Sequence, residues 1–321
     1  MSRRLARPQS LLAGALLGAG LLFAGTAAGE GKVAEVVGGT AHQALFGIAS
    51  QGDVTVAVGA AGAILESADA GKTWKTVSPA PTPLSLLGVA LAKGHAVAVG
   101  QEGTVLVMDD AGKWNKAASG TDSRLFNVAV NAAGRAVAVG AFGTIILSDD
   151  GGQSWSAVAP QDWSSYSKEG EQPHLYDVAV DDKGVITAVG EFGLVLRSAD
   201  AGKTWQALHK GDASLFALRL SADGSGYAAG QNGAVIRTAD GGKTWSDVDV
   251  GTTAILLGIQ SGADGRVLIS GMHDMMLSKD HGQTWSHVDD PDVASSWYQG
   301  VAGAGSALYA VGHAGKIVRV D

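Results

Sequence analysis

The stretch SADAGKTW at residues 67–74 decides the fold, because the chain repeats it. Further copies occupy residues 148–155, 198–205, 238–245 and 278–285, and a copy shortened by one residue occupies 108–114. The tryptophans that end these copies are separated by 40, 41, 50, 40 and 40 residues. A sequence period of this size indicates a repeat architecture.

The residue types of the repeated stretch are those of a tight turn. An Asp carboxylate accepts hydrogen bonds from the N–H groups that a turn leaves unpaired, and the glycine two residues later tolerates positive φ. The tryptophan buries a large ring beneath the turn. We therefore expect a structural role for the Asp and Trp of each copy: Asp69 and Trp74, Asp110 and Trp114, Asp150 and Trp155, Asp200 and Trp205, Asp240 and Trp245, and Asp280 and Trp285.

Each copy of the turn belongs to a longer unit of short apolar segments. A leucine-led strand opens the unit, as at 45–49, and a second strand ends on glycine, as at 57–59. A third strand leads into the turn and a fourth follows its tryptophan. Four short strands in about 41 residues are typical of a propeller blade. The glycines that end the second strands mark seven units: Gly59, Gly100, Gly140, Gly190, Gly230, Gly271 and Gly312.

The predicted fold is therefore all-β, a seven-bladed β-propeller of four-stranded antiparallel blades. The seventh unit stops after its third strand, at residues 319–321, whereas residues 33–37 have strand character and belong to no unit. We expect this N-terminal strand to complete the last blade and close the ring, because closure removes an exposed sheet edge.

The composition suits this architecture and disfavours several functions. The 321 residues include 47 glycines and 7 prolines, as expected for many short strands joined by tight turns. Cysteine is absent, which excludes disulfides and cysteine metal sites. After residue 28 the chain carries 20 basic and 31 acidic residues, which disfavours nucleic-acid binding and electrostatic attachment to anionic lipid.

Residues 1–28 have the pattern of a cleaved signal peptide. Arg3, Arg4 and Arg7 precede an apolar segment at 11–23, and small residues surround a cleavage point after Ala28. An uncleaved membrane anchor is disfavoured because a span needs roughly 20 apolar residues. We predict export to the periplasm, or to a lumen or the exterior, with residues 29–321 as a single propeller domain and no membrane insertion after cleavage.

The one long step between repeats is an insertion at Gln161–His174, a polar segment that carries Trp163 and Tyr166. In a propeller, the second-to-third loops and the loops between blades share one face, which we call the varied face. The repeated turns lie on the opposite, plain face. Variable loops on a rigid scaffold are where function usually lies, so the varied face is the predicted site.

The repeated turns resemble the Asp boxes of BNR repeats, which occur in sialidases and many other propellers. The whole unit, with A-V-G-x-x-G before the turn as at 57–62, is similar to the Ycf48/HCF136-like family over about residues 40–321. Photosynthetic members of that family carry an arginine-rich patch. In this chain Arg197, Arg237 and Arg319 occupy one equivalent strand position in three blades.

The resemblance implies a function. Members in cyanobacteria and chloroplasts are lumenal photosystem II assembly factors that hold newly made reaction-centre protein, and similar bacterial proteins accompany RND-type transporters. It therefore implies a non-catalytic scaffold without cofactors, a monomeric propeller that binds a membrane-complex subunit or a transporter. Photosystem II assembly is implied if the source is photosynthetic, and a transporter accessory role otherwise.

The alternative is a secreted glycoside hydrolase, because sialidases share the Asp box. A sialidase needs three arginines converging on the substrate carboxylate, with a tyrosine nucleophile and acidic residues. Arg197, Arg237 and Arg319 are predicted at strand ends on the plain face, and the R-I-P motif of sialidases is absent. The scaffold interpretation is therefore favoured over an enzyme.

Candidate site residues follow from the varied face. Aromatic residues and methionine are enriched at protein interfaces, although Met275, Met276 and Trp297 also suit the core. Phe142 and Phe192 share one loop position beside the insertion. The predicted partner-binding residues are Phe142, Phe192, Trp163, Tyr166, Glu102, Glu191, Gln231, His273 and His313.

Two groups of residues on the same loops could form a catalytic carboxylate pair or a metal site, but we predict neither. Glu102 and Glu191 are assigned matching positions in blades two and four, and solvated loop charges are favoured over a carboxylate pair. His273, Asp274 and His313 lie on adjacent blades without the short spacing of a metal site. The Asp-box carboxylates are committed to their turns, so we predict no metal.

Overall fold

The ring predicted from the sequence is present in the computed structural model, which describes residues 31–167, 170–262 and 264–321. The predicted signal peptide at 1–28 lies outside these residues. The described strands form seven antiparallel sheets of four strands each, which confirms the all-β seven-bladed propeller. No helix among the described residues has the length and apolar character that crossing a membrane requires.

The strands follow the order of the repeats. After β1 (Val33–Val37), blade one contains β2 (Leu45–Gln51), β3 (Val54–Gly59), β4 (Ile64–Ser67) and β5 (Lys75–Thr76). Blade two contains β6 (Leu86–Ala92), β7 (His95–Gly100), β8 (Val105–Met108) and β9 (Trp114–Ala117). Blade three contains β10 (Leu125–Val130), β11 (Ala136–Gly140), β12 (Ile145–Ser148) and β13 (Ser156–Ala157). Blade four contains β14 (Leu175–Val180), β15 (Ile186–Gly190), β16 (Val195–Ser198) and β17 (Gln206–His209).

The remaining blades repeat the pattern. Blade five contains β18 (Leu215–Leu220), β19 (Gly226–Gly230), β20 (Val235–Thr238) and β21 (Ser246–Asp247). Blade six contains β22 (Leu256–Ser261), β23 (Val267–Gly271), β24 (Met275–Ser278) and β25 (Ser286–His287). After a short helix, α1 (Pro291–Ser295), blade seven contains β26 (Tyr298–Ala304), β27 (Ala307–Gly312) and β28 (Ile317–Val320).

The N-terminal strand closes the ring as predicted. β1 is the outermost strand of blade seven, in the order β26-β27-β28-β1. It pairs antiparallel with β28, with Val33 opposite Val320 and Ala34 opposite Arg319. The last blade is therefore built from both ends of the described chain, and β28 has no exposed edge.

The core lies between neighbouring blades. The leading leucine of the first strand is buried in blades one to six, for example Leu45 and Leu86. Met275 and Met276 are also buried, as predicted. The first strands contact one another around a central channel, and the fourth strands lie outermost.

The seven glycines that end the second strands are required by a close backbone contact. A Cβ on Gly230 would lie 1.9 Å from the carbonyl oxygen of Ser214, and one on Gly100 would lie 2.1 Å from that of Ser85. The residue that makes this contact immediately precedes the first strand of the blade. Glycine therefore allows the second strand to approach the loop that enters the blade.

The Asp boxes are hydrogen-bonded turns, as the residue types predicted. Asp69 accepts from the Thr73 N–H at 2.8 Å and from the Thr73 hydroxyl at 2.6 Å, while Ser67 donates to the same carboxylate. The Trp74 indole donates to the Gly71 carbonyl at 2.9 Å. The carboxylate hydrogen bonds recur in four other copies, at Asp150, Asp200, Asp240 and Asp280.

The shortened copy in blade two corrects one prediction. Asp109, and not Asp110, accepts the turn hydrogen bonds, from the N–H groups of Ala111 and Lys113 at 3.0 and 2.9 Å. In every copy the accepted N–H lies four residues after the carboxylate, so the loss of one residue moves this role to the preceding Asp. Trp114 donates to Glu66 of blade one instead of to its own turn.

Candidate partner-binding face

The insertion lies on the varied face and is tied to blades three and four. The Phe142 N–H donates to His174 Nδ1 at 3.0 Å, and the Gly143 N–H donates to the Pro173 carbonyl at 2.8 Å. The Tyr166 hydroxyl donates to the Trp205 carbonyl at 3.0 Å. The insertion is therefore bonded to blade three at its C-terminal end and to blade four through Tyr166.

Trp163 does not present its ring to a partner. Its side chain is 3 % exposed and packs into the apolar cluster between blades three and four. The ring occupies the space beside Gly143, where a Cβ would lie 2.6 Å from Trp163 Cζ2. In blades one and two the matching glycine faces a loop carbonyl instead, from Thr82 and Thr121. Trp163 therefore anchors the insertion. We predicted that it contacts the partner directly, and its burial contradicts that prediction.

The second residue of each second-to-third loop has a left-handed backbone. The φ angles lie between 52° and 60°, although none of these residues is glycine: Ala61, Glu102, Phe142, Phe192, Asn232, His273 and Ala314. Six of these side chains are exposed, and Ala314 is half-buried. Phe142 is 67 % exposed and Phe192 is 38 % exposed, at equivalent positions in blades three and four as predicted.

The two glutamates do not occupy matching positions, which corrects a second prediction. Glu102 aligns with Phe192 at the outward position, whereas Glu191 aligns with Gln101 one residue earlier. Glu191 accepts from the His174 N–H at 2.8 Å. Gln101 accepts in the same way from Ser85, at 2.9 Å. Glu191 thus braces the loop that enters its blade and is not paired with Glu102.

Gln231 has the same bracing role, because its side chain accepts from the Ser214 N–H at 3.0 Å. Glu191 also contacts the Tyr176 hydroxyl. The pKa of that phenol is raised to about 12, chiefly by burial and to a smaller extent by the Glu191 charge. Glu191 and Gln231 therefore hold the shape of the varied face, and partner contacts through them stay predictions.

The histidines of blades six and seven do not converge on a metal. His273 has an outward, exposed position, and the Asp274 carboxylate accepts from the Thr252 hydroxyl and contacts His287. His313 lies beside the Trp297 ring, with centroids 6.2 Å apart. Among the residues that the structure describes, no group of three or more His, Asp or Glu side chains is placed to hold an ion.

A ring of side chains at the channel mouth was not predicted. In every blade the first strand has a register irregularity at its second residue, which leaves that residue without a partner on the second strand. Such bulges re-aim a side chain, and here each lines the channel. We call these seven residues the collar: Phe46, Leu87, Phe126, Tyr176, Phe216, Leu257 and Gln299.

The collar is continuous with the exposed loop aromatics. The Phe142 ring contacts His174 with centroids 4.9 Å apart, and His174 contacts Phe126 at 5.9 Å. Phe126 contacts Tyr176 at 5.4 Å, and Tyr176 contacts Phe216 at 4.9 Å. We call these five residues the aromatic run. It extends from the loop of blade three to the channel mouth at blade five.

Exposed apolar side chains are concentrated on this face. Of the five large hydrophobic side chains exposed among the described residues, four lie on loops of the varied face: Phe142, Phe192, Ile255 and Met272. The fifth, Val54, is 44 % exposed and follows the first-to-second turn on the plain face. Large apolar side chains are therefore exposed mainly on one side of the ring.

The three equivalent arginines do not form a carboxylate clamp. Arg197 and Arg237 lie on the third strands β16 and β20, and neither lines the central channel. The Arg237 guanidinium lies over the Tyr227 ring at 5.9 Å, and Arg319 pairs with Asp321 at 2.8 Å. These three residues therefore do not assemble the arginine arrangement that a sialidase requires.

Seven closed blades, with Asp-box turns on one face and variable loops on the other, define the class of BNR-repeat β-propellers. Residues 156–253 match the family described as photosynthesis system II assembly factor YCF48, and residues 146–157 match the BNR/Asp-box repeat. The resemblance to Ycf48/HCF136-like propellers that the sequence indicated is thereby confirmed.

Solved structures of similar shape include two of that family. A structure described as YCF48 bound to D1 peptide has 16% identity and a TM-score of 0.69, covering 90% of this chain and 94% of that chain. YCF48 from Cyanidioschyzon merolae has 20% identity and a TM-score of 0.70, covering 90% and 98%. A streptogramin B lyase has 13% identity and a TM-score of 0.74, covering 91% and 97%. At these identities the likeness concerns the fold. A search of curated proteins finds no significant match.

Proposed function

We propose that this chain is a non-catalytic scaffold or assembly factor that binds a protein subunit of a membrane complex on its varied face. The aromatic run carries the proposal, because its rings form one continuous surface that begins at the exposed Phe142. Aromatic side chains in such a setting are the usual energetic centres of protein interfaces.

The partner that we propose presents an apolar or amphipathic segment to this surface. The match to the YCF48 family supports a photosystem II subunit as the partner if the source is photosynthetic. In a non-photosynthetic source we propose an RND-type transporter as the complex served. Export to the periplasm or a lumen belongs to the same proposal. The glycoside hydrolase alternative shares the Asp boxes, but Arg197, Arg237 and Arg319 do not form its carboxylate clamp.

Affinity capture from solubilised membranes of the source organism tests the proposal. The bait is the full chain, and the variant is Phe142→Ala with Phe192→Ala. Truncation of a central interface aromatic costs about 2 kcal/mol or more, so we expect recovery of the partner to fall at least about tenfold.

Val54→Ala is the matched control, because it removes an exposed apolar side chain from the plain face. We expect this variant to recover the partner as the wild type does. Equal recovery by the wild type and a folded Phe142→Ala, Phe192→Ala variant would show that partner binding does not use this surface.

A further inference from the structure

The central channel has an unusual waist. It encloses about 790 Å³ inside the ring of first strands. The waist is formed by one residue from the first strand of each blade. In every blade this residue pairs with the second-strand residue that lies three positions before the strand-ending glycine. Five blades carry alanine at this level and two carry longer polar side chains: Ala49, Ala90, Ala129, Ala179, Arg219, Gln260 and Ala302. The waist is therefore open. Arg219 and Gln260 occupy the same level on adjacent blades, and the Gln260 amide donates to the Ser261 carbonyl.

Arg219 has no counter-ion in direct contact. Its guanidinium makes no hydrogen bond and no ion pair within 4 Å among the described residues. The side chain is exposed to the channel interior, and the surrounding channel wall lowers the pKa of the Arg219 guanidinium, with the Asp177 charge acting in the opposite direction. A guanidinium that is exposed in a channel and has no hydrogen-bonded partner is accessible to an anionic ligand.

Asp177 does not serve as that partner, because its carboxylate is already occupied. It accepts from the Asn127 amide at 2.7 Å, from the Val178 N–H at 2.7 Å and from the Leu218 N–H at 2.6 Å. These bonds join the first strands of blades three, four and five. Burial raises the pKa of Asp177, while these three hydrogen bonds and the Arg219 charge act in the opposite direction.

The channel above Arg219 is apolar. The collar residue of the same strand, Phe216, precedes Arg219 by three residues, which corresponds to about 10 Å along a strand. Tyr176 lies against Phe216 at the same mouth. A ligand that enters from the varied face therefore meets aromatic rings first and a guanidinium about 10 Å deeper.

We propose that the central channel binds a carboxylate carried on an apolar chain. Arg219 receives the carboxylate through its planar pair of N–H donors, and the collar contacts the chain. Two sources share this chemistry, a free alkyl carboxylate and the terminal carboxylate of an apolar polypeptide segment. The site is separate from Phe142 and Phe192 and does not rest on the proposed function.

Calorimetric titration of the full chain with octanoate tests the site. We expect saturable binding with one site per chain, weakened at least about tenfold in Arg219→Gln and retained in Arg219→Lys, since the charge remains. Octan-1-ol should bind wild type and Arg219→Gln alike. Absence of saturable octanoate binding to the wild type, or equal binding by a folded Arg219→Gln variant, would overturn the proposal.

Arg124→Gln is the matched control, because Arg124 also lines the channel but precedes the first strand of blade three, at the mouth. Octanoate binding should survive this change and also Phe142→Ala with Phe192→Ala. If Arg219→Gln does not fold, Arg219→Met removes the charge and keeps an apolar side chain, and it should weaken octanoate binding at least about tenfold. Unchanged binding by a folded Arg219→Met variant would contradict the role of the charge.

A short apolar peptide distinguishes the two sources. We expect a leucine- and alanine-rich pentapeptide with a free C-terminus to bind if a chain terminus fits the channel, and its amidated form to bind at least about tenfold more weakly. If only octanoate binds, the site accepts a free alkyl carboxylate. Equal binding by the free and amidated peptides would overturn the role of the carboxylate.

Discussion

Phe142 combines an exposed aromatic ring with a left-handed backbone, at a φ of 52°. This conformation costs a non-glycine residue about 1–2 kcal/mol, and strain of this kind concentrates at functional sites. Because the equivalent residues of all seven blades share it, the turn itself imposes the conformation. The backbone therefore does not restrict which side chain stands at this position, and the side chain can be one that binds a partner.

Replacing Phe142 by glycine should separate stability from binding. Glycine relieves the left-handed strain but adds about 0.5–1 kcal/mol of backbone entropy to the unfolded chain. We expect Phe142→Gly to be more stable than Phe142→Ala by about 0.5–1 kcal/mol in urea denaturation, while both variants lose partner recovery equally. A Phe142→Gly protein less stable than Phe142→Ala would show that the loop does not require positive φ.

The Asp box is an element whose stability depends on ionised carboxylates. In the folded chain the pKa of Asp69 is lowered from 3.8 to about 2, chiefly by the Thr73 hydroxyl and then by the Thr73 N–H. Hydrogen bonds from Thr204 and Ser198 lower the pKa of Asp200 to about 2 as well. The folded state thus binds fewer protons than the unfolded state in this range. The stabilisation is complete above about pH 4 and is lost as the pH falls towards 2.

An Asp69→Asn variant should reveal this dependence. We expect its thermal midpoint to lie below that of the wild type at pH 7, and the difference to shrink as the pH falls from 4 to 2.5. Asp110→Asn is the control, because Asp110 accepts none of the turn hydrogen bonds and should match the wild type throughout. A constant difference across this pH range would mean that Asp69 does not act through its charge.

The elements could be predicted from the sequence, but the directions of several side chains could not. Glycine, Asp and Trp recur at fixed spacing because close backbone approach and turn hydrogen bonding require them in each blade. The collar residues occupy the second position of each leucine-led strand in the sequence. Their orientation towards the channel is known only from the bulge in the structure. Trp163 was misassigned because a polar insertion gives no sign that a ring will fill the space beside Gly143.

The whole molecule depends on one strand pairing between distant parts of the chain. β1 covers the edge of β28, and Val36 and Val37 pack against the apolar cluster between blades seven and one. Loss of β1 would expose both the edge of β28 and the apolar surface that Val36 and Val37 cover. Exposed edges of this kind pair with other chains.

Deleting residues 31–37 should therefore lower stability and promote self-association. We expect a reduced thermal midpoint and a molar mass that rises with protein concentration in light scattering, whereas the complete ring keeps a constant mass. A synthetic peptide of residues 31–37 is the control and should restore both properties by occupying the vacant edge. A truncated chain that matches the complete one would show that blade seven is sufficient with three strands.

The number of blades and the closure of the ring could be predicted because each repeat is recognisable by itself. The surface that the blades build together is different, since it arises from residues far apart in the chain. His174 shows this: it ends the insertion in sequence, yet it contacts Phe126, Phe142 and Tyr176 in space. A pattern with a period of one blade cannot indicate a contact between blades.

The seven outward loop positions make the varied face open to redesign. They already accept Ala, Glu, Phe, Asn and His on the same left-handed backbone, so one geometry tolerates small, charged, amide, imidazole and aromatic groups. Recognition can consequently diversify, in evolution or in a combinatorial library, one blade at a time and without disturbing the strands beneath. The ring behaves as a display scaffold with seven independently variable sites around a single entrance.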